Sequence, residues 1–380
     1  MTPPLLGVSA LFYLALVSVF YLIALGVITA YRRFFARNAP QSVSKRILLL
    51  ALLLPPVAAL LPTVAGVILR HMHGAAKVPG GGMPAEAAST PLARHTMAGG
   101  LLFQRLSAIA SFGASSKAVS LVLGMGTWLL LGFSAVYAAR LAWATYRLEK
   151  GIAPLLSEPS SPLVGSLARV GQRLGLSAPL RSRFYECALP PERSSVMGLQ
   201  RAKCVLSRDF IQTAPPEELD ALVAHESGHL RSGDVYAAFA VGVLNCVFFF
   251  LRPVRLMGRW WREAAELAAD DTAVQGTGDD PIAVASAILR VRGSATGTFT
   301  LPAPLLPFAD EGVLSVEQRV ERLLAQAECA VPMARSETPA QVALTWGGTG
   351  LLALLGAGLL ISSEAACVAH CTLELIQRVL

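Results

Sequence analysis

Four long stretches without a charged side chain constrain the fold of this chain more than any other feature. They cover residues 5–31, 47–69, 118–139 and 338–363. Each offers the roughly 20 apolar residues that a helix needs to cross a bilayer. The 380 residues are 54% hydrophobic and only 15% charged, whereas soluble proteins carry about 25% charged residues. The sequence therefore predicts a mostly α-helical membrane protein with four transmembrane helices.

Basic residues beside these stretches predict how the chain is oriented. The connection 32–46 contains Arg32, Arg33, Arg37, Lys45 and Arg46 and no acidic residue, and such loops concentrate on the cytoplasmic side. We therefore expect an external loop at 70–117, a cytoplasmic domain at 141–337 and a short external tail at 364–380. This orientation predicts a multi-pass protein of a bacterial-type plasma (inner) membrane. The net charge of +7 is explained by these flanking residues and the anionic inner leaflet, and no direct nucleic-acid binding is predicted.

The segment His225-Glu226-Ser227-Gly228-His229 carries the clearest chemical signal. Two imidazoles four residues apart lie on one face of a helix and can bind a zinc ion. The preceding residues 214–224 have proline and acidic residues in a first turn and then apolar residues at helical spacing, which predicts a helix ended by Gly233. Glu226 lies beside the histidine stripe, so its carboxylate can reach a metal-bound water instead of the metal.

A catalytic zinc ion needs a third protein ligand, and the best candidate lies downstream. Glu266 and Asp270 are four residues apart in the predicted helix 262–271 and share one face. Glu266 is predicted to bind zinc while Asp270 orients a ligand histidine. The alternative is a solvated acidic helix face, and the upstream histidine motif favours the metal site.

The apolar run 235–251 lies between these two motifs and limits the topology. If it crossed the membrane once, His229 and Glu266 would lie on opposite sides of a layer about 30 Å thick and could not share a metal at ~2 Å. The charged residues that follow it cannot span the membrane back. We expect 235–251 to form a core or membrane-dipping helix that turns at Pro253; an ordinary fifth span without a zinc site is the alternative.

Together, these motifs resemble the M56 family of membrane metallopeptidases, typified by the antibiotic sensors BlaR and MecR, and more distantly the M48 family. The resemblance covers about residues 140–330. It also rests on Asp234, on the arginine- and tryptophan-rich stretch 252–262 and on residues 319–323. It implies a cytoplasmic α+β gluzincin domain. In this domain the zinc ligands are His225, His229 and Glu266, and the catalytic glutamate is Glu226.

The resemblance also bears on Arg319, on a possible edge strand and on the substrate. Arg319 lies where the family has a basic residue; it either faces the active site or neutralises Glu266 or Asp270. Residues 194–198 loosely match a strand segment beside which an extended substrate adds to a sheet edge. Family members cleave a cytoplasmic protein such as a transcriptional repressor. Because a penicillin-binding domain has no room after residue 363, we do not expect β-lactam sensing.

The rest of the predicted domain is a mixture of helices and short strands. Helices are expected at 163–174, 281–291 and 316–327, and strands at 181–187 and 203–206 around an irregular segment at 190–200. The main interpretation is a zinc-dependent membrane endopeptidase that acts on a cytoplasmic or membrane-associated protein, in signalling by regulated proteolysis. The alternatives are an M48-like quality-control or processing protease and a non-catalytic membrane sensor or scaffold.

Overall fold

A computed structural model describes residues 3–34, 40–75, 117–190, 194–293 and 316–329. The predicted fourth span at 338–363, the tail at 364–380 and nearly all of the loop 70–117 lie outside these residues.

Three long apolar helices account for the predicted spans that the structure describes. They are α1 (Pro3–Phe34), α2 (Gln41–Ala75) and α3 (Lys117–Ile152). In the described part of the chain, three segments are long and apolar enough to cross a membrane: Tyr13–Phe34, Gln41–Leu60 and Met125–Leu155. The predicted spans 5–31, 47–69 and 118–139 fall within the three helices, which supports a membrane protein.

The chain divides into two compact units. The described residues of the first unit lie in α1 up to Gly26, in α2 from Leu53 and in α3 up to Phe133. Within this unit, the Tyr13 hydroxyl donates a hydrogen bond to the Pro56 carbonyl (3.2 Å), which joins α1 to α2. The second unit holds residues 27–52 and the described residues from Ser134 onward, and it contains all the predicted site residues.

After α3 and a 3-10 turn at Ala153–Leu155, the second unit continues as a small mixed domain. Its helices are α4 (Ser161–Leu174), α5 (Ala178–Arg181), α6 (Arg208–Thr213), α7 (Pro216–Ser232), α8 (Asp234–Val247), α9 (Arg252–Thr277), α10 (Pro281–Gly293) and α11 (Val316–Cys329). Its strands are β1 (Phe184–Cys187), β2 (Ser195–Met197) and β3 (Lys203–Ser207).

The three strands form one sheet in the order β1-β3-β2. β1 runs parallel to β3, with Phe184 opposite Cys204, and β2 runs antiparallel to β3, with Val196 opposite Cys204. The strand predicted at 181–187 starts only at Phe184, because Ala178–Arg181 forms a short helix with proline in its first turn. The segment 190–200, irregular by its residue pattern, contains β2, which lies within the residues 194–198 that matched a strand segment by resemblance.

The hydrophobic core of this domain lies between α4, the sheet, α7 and α10. Its fully buried side chains include Leu163, Val170, Phe184, Leu206 and Val223. Leu219, Leu222 and Val223 form the apolar face of α7, so burial of this face fixes the rotation of the helix about its axis.

The helices α8 and α9 contact each other and are joined by a turn at residues 248–251. Pro253 lies in the first turn of α9, and both helices contact α7. With 14 residues, α8 is about 21 Å long, which is less than the roughly 30 Å thickness of the hydrocarbon layer. The Ser134 hydroxyl of α3 donates a hydrogen bond to the Val247 carbonyl at the end of α8 (3.1 Å).

Candidate metal centre

The helix α7 carries the histidine motif and is well defined at both ends. It starts with Pro216 and has Glu217 in its first turn, where a negative charge complements the helix dipole. At the other end, Gly233 adopts a left-handed conformation (φ +70°), and its N–H donates to the His229 carbonyl. The predicted end of the helix at Gly233 is confirmed.

Two ion pairs hold α7 against neighbouring helices. Asp220 accepts two hydrogen bonds from the Arg169 guanidinium of α4 (2.9 and 2.7 Å). The Glu218 carboxylate accepts hydrogen bonds from the Ser286 hydroxyl (2.7 Å) and from Arg290, both on α10. Both acids are buried, so α7 is anchored on two sides before the motif begins.

Two glycines allow α7 and α9 to approach closely. A Cβ atom on Gly228, within the motif, would lie 3.2 Å from the side chain of Thr272 and 3.3 Å from the Cα atom of Ala269. A Cβ atom on Gly276 would lie only 2.3 Å from the Cβ atom of Ala224. This close packing brings the acidic face of α9 opposite the histidines of α7.

Three side chains meet where the two helices face each other. The Nε2 atoms of His225 and His229 are 3.2 Å apart, and each lies 3.7 Å from a carboxylate oxygen of Glu266. One ligand atom from each of the three residues lies within 4.8 Å of the others. Ligand atoms around a tetrahedral zinc ion with bonds of ~2.0–2.1 Å are about 3.3 Å apart, so the spacing suits such an ion.

The outer nitrogen of each imidazole faces a carboxylate. Nδ1 of His225 lies 3.1 Å from Oδ1 of Asp270, and Nδ1 of His229 lies 2.8 Å from Oδ2 of Asp234. A neutral imidazole that donates from Nδ1 has its lone pair on Nε2. Both lone pairs then point into the space between the two rings and Glu266.

This donor set fits a cation. Two imidazole lone pairs 3.2 Å apart repel each other, and the Glu266 carboxylate adds negative charge at the same point. A divalent ion removes this repulsion, and two histidines with one glutamate is a ligand set typical of catalytic zinc. Carboxylates behind the ligand histidines are the usual support of such a site.

Glu226 lies within the same motif and is almost completely buried, with 5% of its surface exposed. Among the described residues, its Oε2 atom is buried without a hydrogen-bond partner. Burial raises the pKa of the Glu226 carboxyl, although the nearby imidazoles of His225 and His229 oppose the shift. An unpaired buried oxygen is costly, so the Oε2 atom of Glu226 does not stabilise the fold.

Arg319 of α11 binds both acids of α9. Its Nε and Nη2 atoms donate to the two oxygens of Asp270 (2.9 and 2.6 Å), and its Nη1 atom lies 2.9 Å from Oε2 of Glu266. Burial alone would raise the pKa of Asp270, but hydrogen bonds from His225 and Arg319 outweigh it and lower that pKa. The sequence left two alternatives for Arg319: facing the active site or neutralising Glu266 or Asp270. In the structure Arg319 lies at the edge of the site and pairs with both acids.

The structure thus brings together all six residues that the sequence singled out, namely His225, Glu226, His229, Glu266, Asp270 and Arg319. Sequence reasoning missed the contact of Asp234 with His229, although Asp234 follows the helix-ending Gly233 directly, a position from which the chain turns back over the last helical turn. It also missed Lys45 of α2, whose Nζ atom lies 2.9 and 3.1 Å from the two oxygens of Asp234. No local pattern connects residues so distant in sequence.

The apolar helices and the three converging side chains indicate a membrane protein with a candidate metal centre. The model of a family described as BlaR1 peptidase M56 matches residues 191–306. The match includes the histidine motif, Asp234, Glu266 and Asp270, and supports placement in the M56 peptidase family. It suggests a membrane-associated metallopeptidase, and M56 peptidases are generally zinc enzymes. No curated protein and no solved structure matches the chain.

Proposed function

We propose that this chain is a zinc-dependent endopeptidase of the gluzincin type, with His225, His229 and Glu266 as zinc ligands and Glu226 as the catalytic base. The observation that carries the proposal is the convergence of two Nε2 atoms 3.2 Å apart and a carboxylate 3.7 Å from each. Zinc held there would lower the pKa of a water molecule to about 7 and polarise a peptide carbonyl.

The side chains around the metal have separable roles in this proposal. Glu226 accepts a proton from the attacking water, and its unpartnered Oε2 atom is the available acceptor. Asp270 and Asp234 hold the two imidazoles so that their Nε2 atoms face the metal. Arg319 balances the negative charge of Asp270 and Glu266. A purely structural metal site would need no unpaired carboxylate like that of Glu226, which argues against the non-catalytic scaffold.

The position of β2 supports a mode of substrate binding. β2 is an outer strand of the sheet and contacts α7. An extended peptide that pairs with the outer strand of a sheet gains backbone hydrogen bonds whatever its side chains. We therefore place the substrate as an added strand beside Ser195–Met197, with its scissile bond directed toward the metal.

The setting of the reaction is the cytoplasmic face of an inner membrane. In this proposal, α1, α2, α3 and a fourth span at 338–363 cross the bilayer, and the basic residues of 32–46 lie on the same side as the peptidase domain. The substrate is a cytoplasmic or membrane-associated protein, and its cleavage serves signalling by regulated proteolysis. A transcriptional repressor is a substrate of the expected class.

The decisive experiment compares Glu226→Gln with Glu217→Gln in the full-length chain in detergent. Glu217 is exposed on the first turn of the same helix, so its substitution makes the same chemical change away from the site. We expect both variants to hold one zinc ion. Glu226→Gln should reduce cleavage of fluorescently labelled casein by about 10²-fold or more, whereas Glu217→Gln should cleave at the wild-type rate.

Metal removal provides the second arm of this test. Dialysis against a chelator should abolish cleavage by the wild-type chain, and one equivalent of zinc should restore it. Purified chain without stoichiometric zinc would overturn the proposal. Stoichiometric zinc with casein cleavage that survives Glu226→Gln would remove the catalytic role of Glu226.

A further inference from the structure

A buried lysine on α2 contacts Asp234, the acid that lies behind His229. The Nζ atom of Lys45 on α2 lies 2.9 and 3.1 Å from the two carboxylate oxygens of Asp234, and the two side chains are only 10% and 9% exposed. Charged groups on apolar helices are costly unless they are paired, and their presence there usually marks function. The orientation of the chain in the membrane would be served equally well by an exposed lysine.

Asp234 connects this lysine to a predicted metal ligand. One of its oxygens, Oδ2, lies 3.1 Å from Nζ of Lys45 and 2.8 Å from Nδ1 of His229. The Lys45 ammonium contacts both oxygens of Asp234 and so holds this carboxylate in place against the His229 ring. Lys45, Asp234 and His229 therefore form a continuous chain of contacts from α2 to the metal centre.

The other ligand-bearing helix has a parallel contact from α1. The Arg32 guanidinium stacks over the ring of Trp260 (4.4 Å to its centre) and lies 3.4 Å from a carboxylate oxygen of Glu263. Glu263 is on α9, one turn before Glu266. The hydroxyl groups of Tyr31 and Ser44 are 3.2 Å apart and join the two membrane helices at this level. The segments that carry His229 and Glu266 are thus each held by a basic residue from this helix pair.

We propose that Lys45 is a positioning residue of the metal centre, which acts through Asp234 to hold His229 in its zinc-binding orientation. The proposal rests on the zinc site proposed above. Lys45 contributes more to this support than Arg32 does, because the ion pair of Lys45 is buried. The Arg32 side chain is 38% exposed, and exposed ion pairs contribute little. The position of α2 therefore sets the affinity for zinc, so a displacement of this helix within the membrane would weaken the metal site without touching a ligand.

The test measures zinc affinity by competition with a chromophoric chelator, using the full-length chain in lipid nanodiscs. Lys45→Met should lower the affinity about 10- to 100-fold, the usual cost of losing support behind a ligand. Lys45→Arg, which keeps the charge and can still pair with Asp234, should remain within about threefold of the wild-type affinity. The control is Arg33→Met, which removes one positive charge from an exposed position on α1.

A double-mutant cycle separates positioning from simple helix packing. If Lys45 acts through Asp234, then Lys45→Met combined with Asp234→Asn should bind zinc as weakly as Asp234→Asn alone. The visible spectrum of the cobalt-substituted protein should change in the same way for the double variant and for Asp234→Asn. Should Lys45→Met not fold because Asp234 is left unpaired, the double variant removes that charge and the comparison still holds.

The outcomes distinguish this inference from the proposed function. A wild-type chain without stoichiometric zinc would remove the zinc proposal itself. A wild-type chain that binds zinc, together with a Lys45→Met variant of equal affinity and an unchanged cobalt spectrum, would overturn only the positioning role. Independent, additive effects of Lys45→Met and Asp234→Asn on zinc affinity would also overturn it.

Discussion

The completely buried carboxylate of Asp270 lies 3.1 Å from Nδ1 of His225. The contact joins α9 to the histidine motif of α7 and determines which nitrogen of His225 is free to bind a metal. The Asp234 contact with His229 does the same for the second imidazole. Both predicted histidine ligands are therefore oriented from behind by an acid, and their geometry depends on residues outside the five-residue motif.

Replacement of Asp270 should weaken zinc binding without removing a ligand. Asp270→Asn keeps the shape of the side chain but loses the charge that orients His225, so we expect zinc affinity to fall about 10- to 100-fold. The matched control is Asp271→Asn, because Asp271 pairs with Arg322 instead of a histidine. Chelator competition measures both variants. Equal zinc affinities in the two variants would show that the contact with His225 is not what orients the ligand.

Arg319 should contribute strongly to stability. It forms a two-pronged ion pair with buried Asp270 and also contacts Glu266. Arg319→Met removes the guanidinium from both acids and should lower the free energy of unfolding by about 3–5 kcal/mol. Arg322→Met breaks the more exposed pair with Asp271 and should cost about 1 kcal/mol. Thermal unfolding of the metal-free chain in detergent measures the loss of stability in each variant. Similar losses in Arg319→Met and Arg322→Met would contradict the larger contribution of Arg319 to stability.

Gly276 should be required for the close packing of α9 on α7. In Gly276→Ala, the new methyl group meets the Cβ atom of Ala224 at 2.3 Å, which should destabilise the domain by about 1–3 kcal/mol. Because Ala224 directly precedes His225, zinc affinity should fall as well. Gly151→Ala, where nothing lies within 4 Å of the new atom, is the control. Unfolding curves and zinc titrations that are identical for both variants would refute this packing.

The proposed orientation predicts that the loop 70–117 and the peptidase domain lie on opposite sides of the membrane. Ser89→Cys in the loop should react in intact cells with a maleimide that cannot cross the membrane. Ser182→Cys, at an exposed position before β1, should react only after lysis. Three cysteine thiols are buried, those of Cys187, Cys204 and Cys246. Background labelling is therefore limited by replacing the other three cysteines with serine, namely Cys329, Cys367 and Cys371. Labelling of both positions in intact cells would overturn the orientation.

Much of the site was predictable because its signals are local. Residues at i and i+4 share a helix face whatever the tertiary structure, so His225 with His229 and Glu266 with Asp270 could be paired from spacing alone. Helix ends were equally readable: the helix predicted at 163–174 is followed by Gly175 and α7 by Gly233, and both glycines adopt the left-handed conformation. In contrast, β2 has three residues, too few for an alternating pattern to appear, and its place in the sheet depends on pairing with β3.

The sequence by itself determined that this is a membrane protein, where three apolar helices lie, and which helices carry histidine and acidic side chains at metal-binding spacing. Tertiary structure alone decided that Asp234 supports His229, that Arg319 binds the acids of α9, and that Lys45 reaches Asp234 across 189 positions of sequence. The physical reason is that periodicity acts over a few residues along one helix. Contacts between helices depend instead on how closely their backbones approach. Small residues such as Gly228 and Gly276 permit this approach, but their presence in the sequence does not show which helices will meet.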